Sequence, residues 1–574
     1  MKKSWKKGIA AAMSVLLAAG MAGCGQTNTA NSTATSGDAA TTAQTEVAQS
    51  NTDNGDLTVV KILGRNYTYT GANGKTVTLK DWSTEGKSKR WDKLSENLAA
   101  KGVKLELDLI EPDQFDTTIQ TMAASGELFN YDMINITPLD DKTKLNLVKQ
   151  GQLQSISDIW ETYSDGTYTD FINSDAGQFY FKHVALEDGK CYWLTDYEIG
   201  SYEGKPTNFI LAFQIRQDWL DAVGKDMPTT TDAVYEALKA FQDQDVNGNG
   251  QKDEAFLTDY SGFATDVAQW FGLGVGTTFV NNQKDYKVES PWYQEHVKDY
   301  IQYMQKLYTA GLLKMNDSQG STYMANNQVA AISQWGTELW EETAITVPEG
   351  AEYQWFAPMR VDGIEGETSL FRGSNAYNMG WTATAVPAGS DKQEAIAKIL
   401  DYLVTQESMD LTEYGLEGVS YEVVDGKMSN TLDNTLENTD AVGMALWCNG
   451  SIFPRYKLNN DLSTEMDNTV VFAEKNGVKT NQTAKKDFTI SCIKDPDHRI
   501  FHDLGVLAIP TVEEINKANE ISTDLETYSK ELLTKLIMGE KSLDDWDSYI
   551  QDLKDLGLDD LIAVQQARVD RAMK

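Results

Sequence analysis

Oxygen-bearing side chains are spaced like calcium ligands in one short segment of the chain. They occupy positions 1, 3, 5 and 9 of this segment, as Asp245, Asn247, Asn249 and Asp253, and Gly250 occupies position 6. A Ca²⁺ ion takes about six to eight oxygen ligands, and its loop needs a glycine for the sharp turn at the sixth position. The spacing therefore predicts a calcium site.

The last carboxylate of this predicted site has to come from an unusual position. Phe256 stands at the twelfth position, where a calcium loop has a bidentate glutamate. We expect Glu254 to supply that carboxylate and Gln251 to offer its backbone carbonyl at the seventh position. Because a single loop has no paired module to open and close, the predicted ion is structural. The alternative is a solvated turn rich in asparagine and glycine.

Catalytic motifs are absent from the sequence. It contains no His-Glu-x-x-His, Gly-x-Ser-x-Gly or Cys-x-x-Cys motif and no glycine-rich nucleotide loop after a strand. The histidines are scattered, which predicts surface or packing roles for His183, His296, His498 and His502. We expect no catalytic residues, although the 86 acidic residues leave a glycosidase-type carboxylate pair open.

Several tryptophans lie beside polar residues or glycine rather than inside apolar runs. Trp193, Trp335 and Trp381 are examples. A flat ring beside polar groups suits the C–H face and the hydroxyl edge of a sugar, because concave sites combine apolar walls with a few placed polar groups. The alternative for each is a partly buried core residue.

Composition argues against several classes of partner. The 574 residues include 50 Lys and Arg against 86 Asp and Glu, for a formal net charge of −36. A nucleic acid or an anionic membrane surface needs a basic footprint, so neither is expected as a partner. Cys191, Cys448 and Cys492 fit no zinc motif and are expected to be core thiols, with one disulfide as the alternative.

The N-terminus has the pattern of an export signal. Four lysines precede an apolar run over residues 8–22, and Gly23 and Cys24 follow. Residues 21–24 resemble a bacterial lipobox, so residues 1–23 are predicted to be a lipoprotein signal peptide. Cys24 is predicted to carry acyl chains such as palmitate, which anchor the protein without a spanning helix. Residues 24–56 are too polar to fold and are predicted to be a flexible tether. The alternative is an ordinary cleaved signal with a chance cysteine.

The body of the chain alternates between strand-like and helix-like segments. Strands are predicted over residues 57–63, 103–110 and 131–136, helices over 91–101 and 115–124, and a hairpin over 67–79. Helices between short strands indicate βαβ units and a largely parallel sheet, which is the α/β class. Later amphipathic stretches cover residues 231–242, 295–310, 392–405 and 525–572.

Four segments carry a resemblance to a known family. They are residues 123–132, an Ala-Ser-Gly-Glu turn before a strand; 215–220, Ile-Arg-Gln-Asp-Trp-Leu, followed by Pro228; 327–336, a strand ending in Trp335; and 537–546 in the C-terminal helical run. In their order and spacing they resemble the family 1 extracellular solute-binding proteins, the lipid-anchored receptors of carbohydrate ABC importers in Gram-positive bacteria. The calcium-like loop is similar to that of the large-oligosaccharide branch.

The resemblance implies a two-lobed type II periplasmic-binding-protein fold with a hinge and an interlobe ligand cleft. The first lobe would comprise residues 57–195 and 356–412, and the second lobe residues 196–355 and 413–574. It implies Trp335 as a cleft residue and Trp193, Trp270 and Trp381 as further stacking platforms. Arg216 and Arg372 would bind hydroxyls or a uronate carboxylate, with a structural cap as the alternative for Arg216.

The function implied is capture of an oligosaccharide and its delivery to ABC-transporter permeases by a monomer on the outer face of the cell membrane. Two alternatives stay open. One is a surface-anchored enzyme acting on polysaccharides, and the other is the same receptor fold with a peptide or another organic solute as its ligand.

Overall fold

The structure is a computed structural model. It describes residues 57–70, 75–202, 205–206, 212–263, 266–281, 286–315, 319–334, 348, 350–355, 361, 369–371, 377–379, 382–424, 426–430, 440, 452–461, 499–500 and 507–573. All of them belong to one compact unit, Gly55–Lys574. The predicted signal peptide, the acylated Cys24 and the tether lie outside the described residues. In the part of the chain that is described, no helix combines the length and apolar character needed to cross a bilayer.

Short strands run through the whole length of the described chain. In chain order they are β1 Thr58–Arg65, β2 Thr68–Thr70, β3 Thr76–Thr78, β4 Val103–Ile110, β5 Met133–Asn135, β6 Trp193–Leu194, β7 Tyr197–Tyr202, β8 Lys205–Pro206, β9 Ala212–Arg216, β10 Ala255–Thr258, β11 Phe279–Asn281, β12 Lys287–Glu289, β13 Leu313–Met315, β14 Val329–Gln334, β15 Tyr353–Trp355, β16 Ser369–Phe371, β17 Tyr377–Met379, β18 Thr384–Ala385, β19 Tyr421–Val424, β20 Lys427–Asn430, β21 Tyr456–Asp461 and β22 Arg499–Ile500.

Helices separate most of these strands. In chain order they are α1 Leu79–Trp82, α2 Lys89–Ala100, α3 Pro112–Ser125, α4 Asp141–Lys149, α5 Ile156–Tyr163, α6 Thr167–Asn173, α7 Asp175–Val184, α8 Gln217–Val223, α9 Thr231–Gln244, α10 Asp266–Trp270, α11 Val297–Thr309, α12 Gly320–Ala325, α13 Gln393–Leu403, α14 Gln406–Glu413, α15 Val512–Ile537, α16 Trp546–Asp555 and α17 Leu558–Met573.

The first five-stranded sheet has the order β4-β1-β5-β18-β6. β1 pairs in parallel with β4 and β5, and β18 runs antiparallel to β5 and β6. Successive β1 side chains point to opposite faces, so Ile62 packs beneath α2, α5 and α13 while Leu63 packs beneath α3 and α4. The predicted strands, the hairpin and the helices of this region are confirmed. We call this sheet and its helices the first lobe.

The second five-stranded sheet has the order β13-β10-β14-β9-β15. β10 pairs in parallel with β13 and β14, and β9 runs antiparallel to β14 and β15. Here too both faces are covered: Phe256 packs among helices α8 to α11, and Leu257 packs on the opposite face beside Met324 of α12. We call this sheet and its helices the second lobe. The two sheets confirm the predicted α/β class.

A third, smaller sheet lies on the chain segments that connect the lobes. Its order is β17-β7-β21, with β8 paired to β7. β7 follows β6 of the first lobe and precedes β9 of the second, and β17 lies between β15 of the second lobe and β18 of the first. β21 precedes the C-terminal helices. We call these three strands the hinge sheet, because in the described chain each of them lies between segments of the two lobes.

The C-terminal run folds into three helices that pack on the second lobe. Thr511 and Glu514 form a capping box at the start of α15, earlier than the predicted amphipathic run at residue 525. Gly557 separates α16 from α17 with a φ of +96°, where a side chain would also meet Ile521. α15 also contacts α4, and α17 contacts α7, so these helices reach the first lobe as well.

One segment lies on a different lobe from the predicted division. Ile452, Phe453 and Tyr456 pack in the core of the first lobe, whereas the predicted boundary assigned residues 413–574 to the second. The physical reason is a buried trio of phenols, in which the Tyr456 hydroxyl lies 3.0 Å from that of Tyr168 and 3.4 Å from that of Tyr180.

Candidate functional site

Buried polar residues collect at one edge of the first sheet. β1, β5 and β6 run in the same direction, and the carboxyl ends of strands in open α/β sheets are where ligands bind. Asn135 ends β5, Thr195 follows β6, and Thr384 begins β18 at the same edge; all three are buried. The hydroxyls of Thr195 and Thr384 have no hydrogen-bond partner among the described residues. This edge therefore offers polar groups that the described protein does not saturate.

A charged cluster ties the hinge sheet to the first lobe. Arg455 forms two hydrogen bonds with the carboxylate of Glu413, Nε to Oε1 at 2.5 Å and Nη2 to Oε2 at 2.7 Å. Lys457 of β21 lies 3.5 Å from both Glu413 and Glu198 of β7. Burial by itself would raise the pKa of Glu413, but the charges of Arg455 and Lys457 hold it at about 2.

Asp196 lies at the point where the first sheet becomes the hinge sheet. Its Oδ1 accepts a hydrogen bond of 2.6 Å from the backbone N–H of Arg455. Burial raises the pKa of this carboxyl from its ordinary 3.8 to about 6, against the opposing effect of that hydrogen bond. A group that titrates near neutral pH thus lies within the hinge.

The carboxyl edge of the second sheet carries the other half of the candidate site. β10, β13 and β14 run in the same direction and end at Thr258, Met315 and Gln334. Trp335, the predicted cleft residue, follows β14 directly in sequence but lies outside the described residues, as do Trp381 and Arg372. Their roles stay predictions.

The structure places the other two predicted stacking tryptophans in hydrophobic cores. Trp193 in β6 is 5% exposed and packs with the core on the α3 and α4 face, with the Lys144 ammonium 5.9 Å from its ring. Trp270 ends α10, is 2% exposed, and stacks on Phe256 with ring centroids 6.4 Å apart. This environment favours a packing role for Trp270.

Arg216 occupies an internal ion pair rather than an open surface. Its Nε donates to Oδ1 of Asp218 at 2.7 Å and its Nη1 donates to Oδ1 of Asn327 at 2.7 Å. The guanidinium also lies over the ring of Trp219 at 4.1 Å. With its donors engaged in the junction between β9 and α8, the geometry favours the structural alternative for this residue.

The calcium-like loop connects helix α9 to strand β10. Asp245 begins it in the left-handed region, at a φ of 48°, and both of its carboxylate oxygens accept hydrogen bonds from Gly250 N–H, at 3.1 and 3.0 Å. Asn247 and Asn249 donate through their amides to Asp253. Burial works to raise the pKa of Asp253, but hydrogen bonds from Asn247, Gln328 and Asn249 keep it below its usual value.

Glu254 is the unusual member of this loop. Its side chain is fully buried, and its carboxylate oxygens accept hydrogen bonds of 3.3 Å from the backbone N–H groups of Asn247 and Asp253. Within the described ranges, no three Asp, Glu, His or Cys side chains form a group ready to hold a metal ion. A cation here would need the amide and carbonyl oxygens of Asn247, Asn249 and Gln251 to turn inward beside the carboxylates.

The thiol and imidazole groups have structural environments. Cys191 is a buried free thiol, as expected, and burial raises its pKa to about 12. Buried His183 stacks on Phe179 at 4.2 Å and its Nδ1 lies 2.6 Å from the Phe179 carbonyl, whereas the Nδ1 of His296 pairs with Asp299. Cys448, Cys492, His498 and His502 lie outside the described residues.

The model of one protein family, the bacterial extracellular solute-binding proteins, matches residues 81–410, which is more than half of the chain. The chain belongs to this family. The match runs from α1 to α14, so it includes most of the first lobe but not β1, and it includes the whole second sheet. By family the chain is therefore a solute-binding protein.

Relatives of this solute-binding protein include named carbohydrate receptors. It is 21% identical to the fructooligosaccharide ABC transporter substrate-binding protein FusA of Streptococcus pneumoniae, over 78% of this chain and 81% of that one. It is 23% identical to the polygalacturonan/rhamnogalacturonan-binding protein YtcQ of Bacillus subtilis, over 55% of this chain and 59% of the relative.

Solved structures share its architecture. An HMO-binding solute-binding protein of Bifidobacterium longum infantis matches 90% of this chain and 99% of its own, with 18% identity and a TM-score of 0.63. FusA in complex with kestose matches over the same shares with 17% identity and a TM-score of 0.62, and a FusA EF-hand mutant has also been solved. The type II periplasmic-binding fold that the resemblance implied is thereby confirmed.

Two buried polar features of the structure were not predicted from the sequence. One is the charged cluster. Its members come from three segments that are far apart in the sequence, and the charges within each segment form no distinctive pattern. The other is the buried carboxamide of Gln269 in α10, described below. A signal was available for the second: a glutamine within an otherwise apolar helix stretch, next to Trp270 and Phe271.

Proposed function

We propose that this solute-binding protein captures an oligosaccharide outside the cell and delivers it to ABC-transporter permeases. The observation that carries the proposal is the pair of α/β sheets joined by a three-stranded hinge sheet, with buried polar side chains at the carboxyl edge of the first sheet. This arrangement suits closure around a ligand. The carbohydrate receptors among its relatives support a sugar as that ligand.

The test is a thermal-shift screen of the purified chain in calcium-containing buffer. The probes are kestose, lacto-N-tetraose and trigalacturonate, which cover two neutral sugars and one acidic sugar. A ligand at 100 times its dissociation constant stabilises the folded state by about 2.7 kcal/mol, which a melting curve resolves. A shift with a sugar that is recovered intact supports the proposal, and no shift with any of the three contradicts it.

The same experiment decides between the proposal and its alternatives. A sugar recovered in cleaved form would favour the polysaccharide-active enzyme. The peptide alternative predicts a thermal shift when a random tetrapeptide mixture is added to the screen, and no shift with the sugars. A peptide site needs partners for the charged termini of its ligand.

The proposed anchor is a lipid on Cys24, on the outer face of the cell membrane. The lipobox-like residues 21–24 and the polar segment behind them support it. Cys24→Ala should release the protein into the medium and abolish incorporation of labelled palmitate. Unchanged membrane fractionation of this variant would contradict the anchor.

The calcium site is part of the proposal as a structural element. A fully buried carboxylate such as Glu254 is costly unless a cation or strong hydrogen bonds compensate its charge. Its described hydrogen bonds are two at 3.3 Å. Asp245, Asp253 and Glu254 supply the negative charge that Ca²⁺ requires, and Asn247, Asn249 and the Gln251 carbonyl supply further oxygens. Bound calcium would hold the turn between α9 and β10.

A further inference from the structure

One buried carboxamide in the second lobe has neither of its polar atoms satisfied. Gln269 in α10 is 1% exposed. Neither its Nε2 nor its Oε1 has a hydrogen-bond partner among the residues that the structure describes. Buried polar groups are almost always paired, so a doubly unpaired amide calls for a partner beyond the residues that the structure describes.

Two other buried or half-buried glutamines of the same lobe, Gln242 and Gln294, have hydrogen-bond partners. Gln242 in α9 donates through Nε2 to the carbonyls of Glu254 and Gly311, both at 2.9 Å. Gln294 accepts from the Gly274 N–H at 2.7 Å and donates to the Gly272 carbonyl at 3.1 Å. Gln214 in β9 has one unpartnered atom, its Nε2, whereas Gln269 lacks a partner for both of its polar atoms among the described residues.

α10 follows the carboxyl edge of the second sheet in the chain. α10 comes directly after the loop that follows β10, and that loop leaves the carboxyl edge of the second sheet. Its neighbour Trp270 is stacked on Phe256 of β10, and the backbone carbonyl of Gln269 accepts a 3.0 Å hydrogen bond from Gly272. Both contacts hold the end of α10 against the core of the second lobe.

We propose that the carboxamide of Gln269 hydrogen-bonds to neighbouring hydroxyls of an uncharged sugar residue in the bound ligand. The inference rests on the proposed function and makes it more specific. A carboxamide presents donors and an acceptor side by side without charge, which matches two adjacent hydroxyls, since each of them both donates and accepts. A uronate carboxylate only accepts, so it would leave Oε1 facing another acceptor. Gln269 therefore selects neutral sugars over uronates.

The experiment compares Gln269→Met with Gln242→Met, because methionine keeps the length of glutamine and removes its polar atoms. Binding of kestose, lacto-N-tetraose and trigalacturonate is measured by calorimetry, and the melting temperature is measured without sugar. For Gln269→Met we expect the unliganded melting temperature to stay or rise, and affinity for the neutral sugar to fall by about tenfold or more. For Gln242→Met we expect a lower melting temperature and unchanged affinity.

A second variant is a control in case the first one misfolds. Gln269→Asn keeps the amide but withdraws it by one methylene group, and it should also weaken binding of the neutral sugar. If the wild-type protein binds none of the three sugars, the proposed function is wrong. If it binds a sugar and both Gln269 variants bind that sugar equally well, the role of Gln269 is wrong while the function stands. Preferential binding of trigalacturonate by the wild type would overturn the selection for neutral sugars.

Discussion

At the scale of single residues, the environment of a side chain decides which of several possible roles a residue has. Trp270 and Trp335 are equally good sugar platforms by residue type, yet Trp270 lies in the apolar core beside Phe256. Arg216 could bind the carboxylate of a ligand, yet within the protein it already binds the carboxylate of Asp218. The spacing of Asp245 to Glu254 was visible in the sequence, but the complete burial of Glu254 was not, since burial depends on distant neighbours.

Calcium removal tests the loop at this scale. We expect chelation with EDTA to lower the melting temperature, because a bound ion at 100 times its dissociation constant stabilises the fold by about 2.7 kcal/mol. Asp245→Ala should lower the melting temperature in calcium and remove the effect of EDTA.

The control is Asp243→Ala, which removes an exposed carboxylate paired with Lys239 and Lys252 just outside the loop. It should keep the full EDTA effect. Equal melting curves with calcium and with EDTA after extensive dialysis would contradict the site.

The two tryptophans give a matched pair of substitutions. Trp335→Ala should weaken sugar binding by about 1–3 kcal/mol if its ring stacks on the ligand. Trp270→Ala should instead lower the free energy of unfolding by about 3–5 kcal/mol, because it leaves a cavity in the core. Calorimetry and urea unfolding separate the two effects. A Trp335 variant with wild-type affinity would return that residue to a packing role.

At the scale of secondary-structure elements, local pattern predicted the strands and helices of the first lobe but not the hinge. β1 and β4 alternate or cluster β-branched and aliphatic residues, and their predicted boundaries agree with the structure to within a few residues. The hinge sheet joins β7, β17 and β21, which are separated by long stretches of chain. Its charged cluster arises from tertiary proximity, so periodicity in any one segment carries no trace of it.

The titration of Asp196 gives the hinge a measurable pH dependence. Its folded-state pKa of about 6 exceeds its ordinary 3.8, so the protonated form stabilises the fold. This contribution is full below about pH 3.8 and is lost as the pH rises through about 6. At about 1.4 kcal/mol per pKa unit it amounts to about 3 kcal/mol. Glu413 acts oppositely, since its lowered pKa contributes stability that is lost only as the pH falls below its usual 4.5 toward about 2.

Asp196→Asn isolates this effect, because asparagine keeps the acceptor for the Arg455 N–H. We expect the variant to be more stable than wild type at pH 7.5, and the gain to shrink toward pH 5, as measured by urea unfolding at both values. Asp547→Asn, on the exposed start of α16, is the control and should show no such pH dependence. A constant difference between Asp196→Asn and wild type from pH 5 to pH 7.5 would refute the assignment.

At the scale of the whole molecule, the charge of −36 shapes what can approach the site. A surface with a large excess of one sign repels ligands of the same sign over distances of about a Debye length, which is about 10 Å in 0.1 M salt. Neutral sugars experience no such repulsion. Net charge was readable from composition, and it agrees with the preference that the uncharged amide of Gln269 indicates.

Salt dependence tests this effect. The apparent affinity for trigalacturonate should rise as NaCl is increased to about 0.5 M, because screening weakens the repulsion. The affinity for kestose or lacto-N-tetraose should change by less than about twofold over the same range. The measurement is calorimetry at matched calcium activity. A trigalacturonate affinity that falls with salt would indicate a local basic pocket that overrides the overall charge.

The phenol trio described in the core has a mechanical meaning. Tyr456 belongs to β21, but its hydroxyl is held between Tyr168 and Tyr180 of the first lobe, and the flanking Arg455 and Lys457 are held by Glu413 at the end of α14. Three successive residues, at and just before the start of β21, are thus held by contacts on the same side of the molecule. Any rotation between the lobes must carry the β17-β7-β21 sheet along with the first lobe as a rigid attachment.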